Sequence, residues 1–268
     1  MTFSVVVFDR EAREWGVGVA SRYLSVGSVV PWARAGIGAL ATQSYANYSY
    51  GPDGLELLKT HSAKETVDIL TSTDPEREKR QLGIVDSNGE AFAFTGSQCH
   101  EYAGHLIGDG FCVQGNILTG ENVIKAMASE MEKSGRIEDR ITHALLSAEK
   151  NGGDRRGRQS AAILVVSESR SFEKGSRIVY DLRVEDHKDP VGELNRLVGL
   201  WKATNLDRET VEIDTESENI TRRLRNLGYD SLERWAFDGS LENSVSAGKI
   251  GAVAYRILMG ETNPELKH

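Results

Sequence analysis

Four apolar and nearly uncharged segments near the start of the chain constrain its fold more than any other feature. They cover residues 3–8, 15–20, 25–32 and 36–43. The first two flank a polar turn and together predict an antiparallel hairpin. Strands with so few charges are typical of a sheet that is buried on both faces. Such a sheet requires helices to cover it, so we expect both kinds of element.

Periodicity and turn residues place the elements that follow. Helices are predicted over residues 55–61, 63–70, 120–133, 137–150 and 194–201, and strands over residues 81–86, 91–95, 160–166 and 177–184. Ser62 and Glu65 form a capping-box pattern at the start of the second helix, and Asn88-Gly89 predicts a tight hairpin. Because strands and helices do not alternate regularly, this order argues against a doubly wound sheet and favours antiparallel or mixed sheets with helices outside.

Length, hydropathy and charge limit the class of protein. A chain of 268 residues, 39% of them hydrophobic, forms one large domain or one domain with a small appendage. No stretch approaches the ~20 apolar residues of a membrane span, and the first residues lack the pattern of a signal peptide. The net charge of −8 makes nucleic acid a poor partner. We therefore expect a cytoplasmic protein that binds neither membrane nor nucleic acid, and a homo-oligomer is compatible with the sequence.

The composition changes after Thr204. Residues 206–219 carry six acidic residues and one arginine, and a short apolar and aromatic tail follows them. We therefore expect one domain over residues 1–204 and a small C-terminal extension over residues 205–268.

The two cysteines, Cys99 and Cys112, form at most one disulfide, so we expect buried thiols. With His100 and His105 they could be drawn as a metal site, but the spacing lacks the paired C-x-x-C pattern of zinc proteins. We therefore expect no metal.

Two further polar stretches, residues 108–110 and 114–116, resemble turns more than phosphate-binding loops. No Lys-Ser/Thr pair follows either of them, as a P-loop requires. Nor does the chain contain a G-x-S-x-G elbow or an H-E-x-x-H helix. We therefore expect no cofactor.

Arginines stand among the uncharged segments. Arg22 follows the second predicted strand and Arg34 precedes the fourth, and each needs a partner, a ligand or access to solvent. Residues 152–160 carry three more arginines between glycines. Such a cluster binds a carboxylate or phosphate through its guanidinium forks, or it forms a solvated loop. The sequence leaves both interpretations open.

Thr2 is the remaining candidate for chemistry. It follows the initiator methionine and is small enough for ordinary methionine removal, after which it would be the first residue. Its hydroxyl would then lie beside its own α-amine, whose usual pKa of about 7.7–8.0 suits a base at neutral pH. In an N-terminal threonine nucleophile, the α-amine activates the hydroxyl of the same residue in this way.

Six motifs, in the same order, resemble the family catalogued as domain of unknown function 1028, which is placed in the N-terminal nucleophile hydrolase superfamily. They lie at residues 2–4, 16–21, 29–39, 41–43, 114–118 and 152–161. The resemblance covers about residues 2–186 and implies an α+β fold, a four-layer αββα sandwich of two antiparallel sheets. Residues 206–258 are similar to a C-terminal segment of many members that is described as peptidoglycan-binding-like.

The resemblance also implies a set of site residues. The expected catalytic residues are Thr2, Ser21, Arg34, Gln43, Asp154 and Ser160. The expected substrate-binding residues are Arg22, Ser44, Asn116, Arg155, Arg158 and Gln159.

Each expected catalytic residue has a role in the superfamily pattern. Thr2 is nucleophile and base, and Arg34 lies roughly where a lysine lowers the pKa of the amine. Backbone amides at Gln43 or Ser44 form the oxyanion hole. Asp154 and Ser160 resemble the late residues that orient the amine.

The motif that contains Ser21 departs from this pattern. Proteasome-type β subunits have Asp-Ser-Arg there, whereas Ala20 stands at the aspartate position of this chain.

The sequence therefore predicts an amide hydrolase that acts on a small amide or short peptide, with the arginines near Arg155 holding a carboxylate of the substrate. The alternative is a non-catalytic ligand-binding or scaffold protein on the same fold. Retention of Met1 would favour the alternative.

Overall fold

The computed structural model describes residues 2–170, 175–206, 210–215 and 217–260. The chain divides into two compact units, Met1–Asn195 and Arg196–His268. The boundary expected near Thr204 lies within the second unit. In the described ranges, no helix is long and apolar enough to cross a membrane.

The first unit holds two antiparallel sheets. The strands are β1 (Thr2–Asp9), β2 (Glu14–Ser21), β3 (Pro31–Arg34), β4 (Gly38–Ser44), β5 (Arg80–Asp86), β6 (Ala91–Thr95), β7 (Gly104–Gly108), β8 (Phe111–Asn116), β9 (Ser160–Ser167) and β10 (Ile178–Val184). The six-stranded sheet has the order β10-β9-β2-β1-β8-β7, and the four-stranded sheet has the order β3-β4-β5-β6. Within each sheet, neighbouring strands are antiparallel. The mixed α+β class with antiparallel sheets is thus confirmed.

Helices contact both sheets. They are α1 (Tyr50–Leu57), α2 (Ala63–Ser72), α3 (Asn122–Met131), α4 (Ile137–Lys150) and α5 (Pro190–Trp201), of which the last crosses the boundary between the units. Helices α3 and α4 contact β8, β1 and β2, whereas α1 and α2 contact β4, β5 and β6. Strand β1 in turn contacts β4 and β5 of the four-stranded sheet.

Glycines in β2 explain how closely α4 approaches the sheet. A Cβ atom on Gly16 would lie 2.6 Å from Ile141 Cδ1, and one on Gly18 would lie 2.3 Å from Ile141 Cγ2. Any larger residue at either position would collide with the helix. The alternation of glycine with Trp15, Val17 and Val19 therefore places small residues toward α4 and large ones toward the other sheet.

The second unit has its own small core. Strands β11 (Thr210–Glu212), β12 (Val245–Ser246) and β13 (Lys249–Gly251) form a sheet of order β11-β13-β12, and the helices are α6 (Glu218–Leu227), α7 (Leu232–Asp238) and α8 (Ala252–Met259). Ile220, Leu224, Trp235, Ile250 and Leu258 are buried together. These contacts account for a compact unit despite the acidic residues within it.

Several predicted elements are confirmed. The β1–β2 hairpin pairs Phe3 with Ala20, and the β5–β6 hairpin has Gly89 in its turn with φ 87°. The capping box also forms: Ser62 Oγ accepts from the Glu65 amide, and Glu65 Oε2 accepts from the Ser62 amide.

Other predictions are wrong. The strand predicted at residues 25–32 is a 3₁₀ turn, Val26–Ser28, followed by the short β3. Residues 114–116, predicted as a turn, belong to β8. Gly115 produced that error, because glycine is typical of turns. In β8 this residue is a glycine because Leu118 fills the space that a side chain would need: a Cβ on Gly115 would lie 2.6 Å from Leu118 Cδ1.

Helix α1 begins at Tyr50 rather than Leu55, because Pro52 is tolerated in the first turn of a helix.

Candidate functional site

Thr2 begins β1, a central strand of the six-stranded sheet. It lies opposite Asn116 of β8, and its Oγ1 lies 3.1 Å from Oγ of Ser21, the last residue of β2. Only 6% of Thr2 is exposed, and Ser21 is also buried. The structure therefore brings together two of the expected catalytic hydroxyl groups.

Gln43, in β4 of the four-stranded sheet, forms a hydrogen bond with Thr2. Gln43 Nε2 donates to the Thr2 backbone oxygen over 3.2 Å and to Gln81 Oε1 over 2.8 Å. Gln43 Oε1 accepts from Ser4 Oγ at 2.7 Å. The side chain of Gln43 thus holds Thr2 in place, which differs from the expected contribution of a backbone amide to an oxyanion hole.

These bonds belong to a larger group of buried polar side chains, which we call the amide network: Ser4, Gln43, Gln81, Gln114 and Asn116. Asn116 Nδ2 donates to Gln81 Oε1 at 2.9 Å, and Gln114 Nε2 donates to the Ala41 carbonyl at 3.0 Å. All five residues are at most 1% exposed and none carries a charge. These bonds connect Gln43, which holds the Thr2 carbonyl, to Gln81 and Asn116, so strands of both sheets help to position Thr2.

The signal for this network was present in the sequence but was not used. Gln43, Gln81 and Gln114 are buried polar residues in strands that are buried almost throughout. A glutamine in a strand that is buried on both faces needs partners, and other glutamines in the same position on neighbouring strands can supply them.

Asp154 and Ser160 bond to the segment that follows Ser21. Asp154 Oδ2 accepts from the Arg22 amide at 2.8 Å, and Ser160 Oγ accepts from the Val26 amide at 3.1 Å and donates to the Tyr23 carbonyl. Ser160 also lies opposite Ser21 in the β2–β9 register. The structure therefore gives both residues an indirect connection with Thr2, through the chain they anchor beside Ser21.

Arg34 lies away from Thr2. It pairs with Gly38 at the start of β4, whereas Gln43 is near the end of that strand, about 17 Å farther at ~3.3 Å per residue. Its side chain is 46% exposed, and its Nη1 lies 2.7 Å from Glu56 Oε1. The resemblance to the superfamily pattern placed Arg34 near the amine, and the short β3, which pairs with the first half of β4, corrects that expectation.

The expected substrate-binding arginines differ in their partners. Arg158 lies 3.2 Å from both Glu149 Oε2 and Asp189 Oδ1, so its charge is compensated. Arg22 and Arg155 are exposed. Arg22 donates to the backbone oxygen of Arg158 at 3.3 Å, and within the described part of the chain neither guanidinium has a carboxylate partner. These two arginines are therefore the ones available to an anionic ligand.

The other expected binding residues have structural roles in this state. Asn116 is buried in the amide network, and the backbone oxygen of Gln159 accepts from the His187 amide at 2.7 Å. Ser44 has φ 68°, and the next amide, that of Tyr45, donates to the Lys79 carbonyl. A left-handed serine at the end of β4 turns the chain sharply beside Gln43.

Sequence analysis missed Glu149, near the end of α4. Its side chain borders a cavity of about 120 Å³ that is also lined by Phe3, Ala20, Ser21 and Asp154. Burial raises the pKa of Glu149 to about 7, although nearby Arg158 lowers it. The sequence held one indication of this residue. Glu149 lies in the last turn of a helix, where the negative end of the helix dipole disfavours a charged carboxylate.

Both cysteines are free and buried, as expected, and burial raises the pKa of the Cys112 thiol to about 12. Among the described residues, no group of three or more His, Cys, Asp and Glu side chains is arranged to hold a metal ion.

Known structures resemble this chain. The crystal structure of protein SPO2555 from Silicibacter pomeroyi, a DUF1028 protein, is 30% identical with a TM-score of 0.69, and the similarity covers 75% of this chain and 86% of that one. Anbu, an ancestral β-subunit from Yersinia bercovieri, is 12% identical with a TM-score of 0.34, over 74% of this chain and 93% of that one. The likeness to Anbu is too low to carry an argument.

No curated protein matches the sequence. The family of unknown function DUF1028 matches residues 2–194, which is most of the chain. With the family match and the 30% identity to SPO2555, the chain belongs to the DUF1028 family.

Proposed function

We propose that this chain is an N-terminal-nucleophile amide hydrolase in which Thr2, exposed as the first residue by removal of Met1, attacks a small amide or short peptide. The observation that carries the proposal is the setting of Thr2. Its hydroxyl lies 3.1 Å from that of Ser21, and Gln43 holds its backbone oxygen from the opposite sheet. A side chain held this rigidly is preorganised for attack.

The proposed reaction has two halves. The α-amine of Thr2 takes the proton of the Thr2 hydroxyl as Oγ1 adds to the amide carbon, and the amine then gives that proton to the leaving nitrogen as the C–N bond breaks. Water hydrolyses the resulting ester, with the same amine as base, and releases the acid. Backbone amides near Gln43 and Ser44 are the proposed donors to the oxyanion.

The amine needs to be unprotonated to act as a base. The side chains that bond to Thr2 or to its holder Gln43 are the neutral Ser21, Ser4 and Gln81. Desolvation disfavours the charged form of an amine. We therefore propose that the buried, uncharged surroundings of Thr2, rather than a neighbouring cation such as Arg34, favour the neutral form of its amine.

The fold also fits the proposal. Helices α3 and α4 contact the six-stranded sheet, β1 contacts β4 and β5, and α1 and α2 contact the four-stranded sheet. These contacts support the four-layer αββα arrangement of N-terminal nucleophile hydrolases, with Thr2 between the two sheets.

The test is a panel of amides incubated with wild-type protein and three variants. Thr2→Val keeps the shape of the side chain but lacks the hydroxyl, Thr2→Ala lacks both, and Thr2→Ser keeps the nucleophile. We expect cleavage by the wild type and by Thr2→Ser, and none by the other two. Equal cleavage by Thr2→Val would overturn the assignment of the nucleophile. Ligand binding without cleavage of any amide would favour the binding-protein alternative.

A further inference from the structure

Four large side chains stand exposed in two loops near Thr2. Tyr23, Leu24, Tyr45 and Tyr48 are between 50% and 58% exposed. Because three of the four are tyrosines, we call this group the aromatic rim. Single exposed apolar residues are common on proteins, but a group of them marks a binding surface.

The aromatic rim continues directly from the candidate site. Tyr23 is two residues beyond Ser21, whose hydroxyl lies 3.1 Å from that of Thr2. Tyr45 is two residues beyond Gln43, which bonds to the Thr2 carbonyl. Since two residues span at most about 7 Å, both tyrosines start close to the proposed nucleophile.

Polar interactions involve three tyrosines of the rim. The interaction of Tyr48 with Tyr23 raises the pKa of Tyr48. Tyr45 Oη lies 3.1 Å from His100 Nε2, with the two ring centroids 5.7 Å apart. Rings that are already ordered bind a ligand at a low entropic cost.

Two exposed arginines near the rim indicate the charge of the ligand. The Arg22 amide bonds to Asp154, the residue before Arg155, so the backbones of the two arginines meet beside Ser21. Both arginines are exposed and, as far as the described residues show, lack a carboxylate partner. A guanidinium group without a carboxylate partner favours a carboxylate ligand, which accepts two parallel hydrogen bonds.

We infer that the aromatic rim, with Arg22 and Arg155, is a substrate subsite for an aromatic group and a carboxylate. The substrate class is a short peptide or N-acyl amino acid with an aromatic side chain and a free carboxylate. The inference rests on the proposed function for the reaction at Thr2, but not for the binding itself. Four side chains are few beside the about 20–30 residues that a stable protein interface engages on each partner, so a small ligand fits better than a protein.

The experiment measures binding in a protein that cannot turn substrate over. Thr2→Ala is titrated with N-acetylphenylalanine, N-acetylphenylalanine amide and N-acetylalanine, and Kd is measured by calorimetry or NMR. We expect the first to bind about tenfold or more tightly than the other two, because only it offers both the ring and the carboxylate. Equal binding of N-acetylalanine would overturn the role of the rim, and equal binding of the amide would overturn the role of the arginines.

Variants in the same background locate the subsite. Tyr48→Ser and Arg155→Gln are each expected to weaken the binding of N-acetylphenylalanine about tenfold. Ile178→Ser is the matched control, since Ile178 is another partly exposed apolar residue of the first unit. An equal effect of the control, or no effect of Tyr48→Ser and Arg155→Gln, would overturn the inference.

Two further outcomes are distinguishable. If the ligand binds as expected but the wild type cleaves no amide of this class, the subsite stands and the proposed hydrolysis fails. If sedimentation shows a dimer that Tyr48→Ser dissociates, the rim is an interface between copies of the chain and the inference is wrong.

Discussion

The side-chain amide of Gln43 donates to the backbone carbonyl of Thr2 over 3.2 Å, and this bond links the four-stranded sheet to the first residue of β1. The same side chain bonds to Ser4 and Gln81. The position of the proposed nucleophile therefore depends on the opposite sheet, and not only on its own strand.

Gln43→Met should destabilise the protein. The methionine fits the space but removes the buried hydrogen bonds of Gln43 to the Thr2 carbonyl, Ser4 and Gln81, at a cost of about 1–3 kcal/mol in the free energy of unfolding. Urea unfolding measures this change. Gln98→Met, at an exposed position, is the control and should change little. Equal stability of the two variants would show that the amide network does not hold Thr2.

The contact of β2 with α4 gives a second prediction. Gly16→Ala collides with Ile141 Cδ1, whereas Gly18→Ala collides with Cγ2 of the same side chain. Each should cost about 1–3 kcal/mol, as overpacking usually does. Adding Ile141→Val removes Cδ1 but keeps Cγ2, so it should relieve Gly16→Ala and not Gly18→Ala. Thermal melts of the four variants check this, and equal relief of both would contradict the contact.

A buried ion cluster gives a third prediction. Arg170 Nε lies 2.7 Å from Glu14 Oε1 and its Nη2 lies 2.9 Å from Glu138 Oε2, with both carboxylates buried. Arg170→Met removes the guanidinium that both buried carboxylates contact and should cost about 3–5 kcal/mol.

Acid should partly rescue this variant. Burial raises the pKa of Glu14 and Arg170 lowers it, so without the guanidinium the folded pKa of Glu14 lies further above the unfolded one. The stability lost at this carboxyl therefore returns as the pH falls and Glu14 becomes protonated. Urea unfolding of Arg170→Met at several pH values measures the effect. A small loss that does not depend on pH would show that the cluster contributes little.

Much of the fold follows from the sequence because its signals are local. The β1–β2 hairpin, the capping box of α2 and the Asn88-Gly89 turn depend on residues close together in the chain. Strand β8 was missed because glycine is typical of turns. Gly115 lies in this strand because Leu118 packs against it, a contact that no local sequence pattern shows. The short β3 was misplaced for a related reason, since its end is set by pairing with β4.

The site was predictable only in part. Thr2 and Ser21 were identified from motifs, and the structure brings their hydroxyls together. Arg34 was placed by a resemblance to the superfamily pattern, which does not show that β3 pairs with the first half of β4, away from Thr2. Glu149 was missed because burial is a tertiary property, and a glutamate in a helix otherwise resembles a surface residue.

Glu149 gives a fourth prediction, on pH. Its folded pKa of about 7 lies above its ordinary value of 4.5, so its burial costs stability as the pH rises between these values. Glu149→Gln removes this cost. Above pH 7 the variant should be more stable by on the order of 1 kcal/mol, allowing for solvent screening, or about 2–4 °C in Tm.

Below about pH 4.5 the difference between Glu149→Gln and the wild type should vanish, because both the folded and the unfolded states then hold the proton. Glu121→Gln, on the exposed surface of a helix end, is the control. Melting curves from pH 4 to 8 check this, and parallel curves for wild type and Glu149→Gln would contradict the raised pKa.

The measurement that tests the central claim most directly is covalent labelling of Thr2. The untagged protein is treated with an epoxyketone, which needs both the hydroxyl and the free amine of one N-terminal residue, and the modified peptide is located by mass spectrometry. The account predicts an intact mass without Met1, a label on Thr2 in the wild type and in Thr2→Ser, and none in Thr2→Ala or in a folded protein with a residue kept before Thr2. An untagged protein that keeps Met1, or an unmodified Thr2 while Thr2→Ala retains full activity on an identified amide, would contradict it.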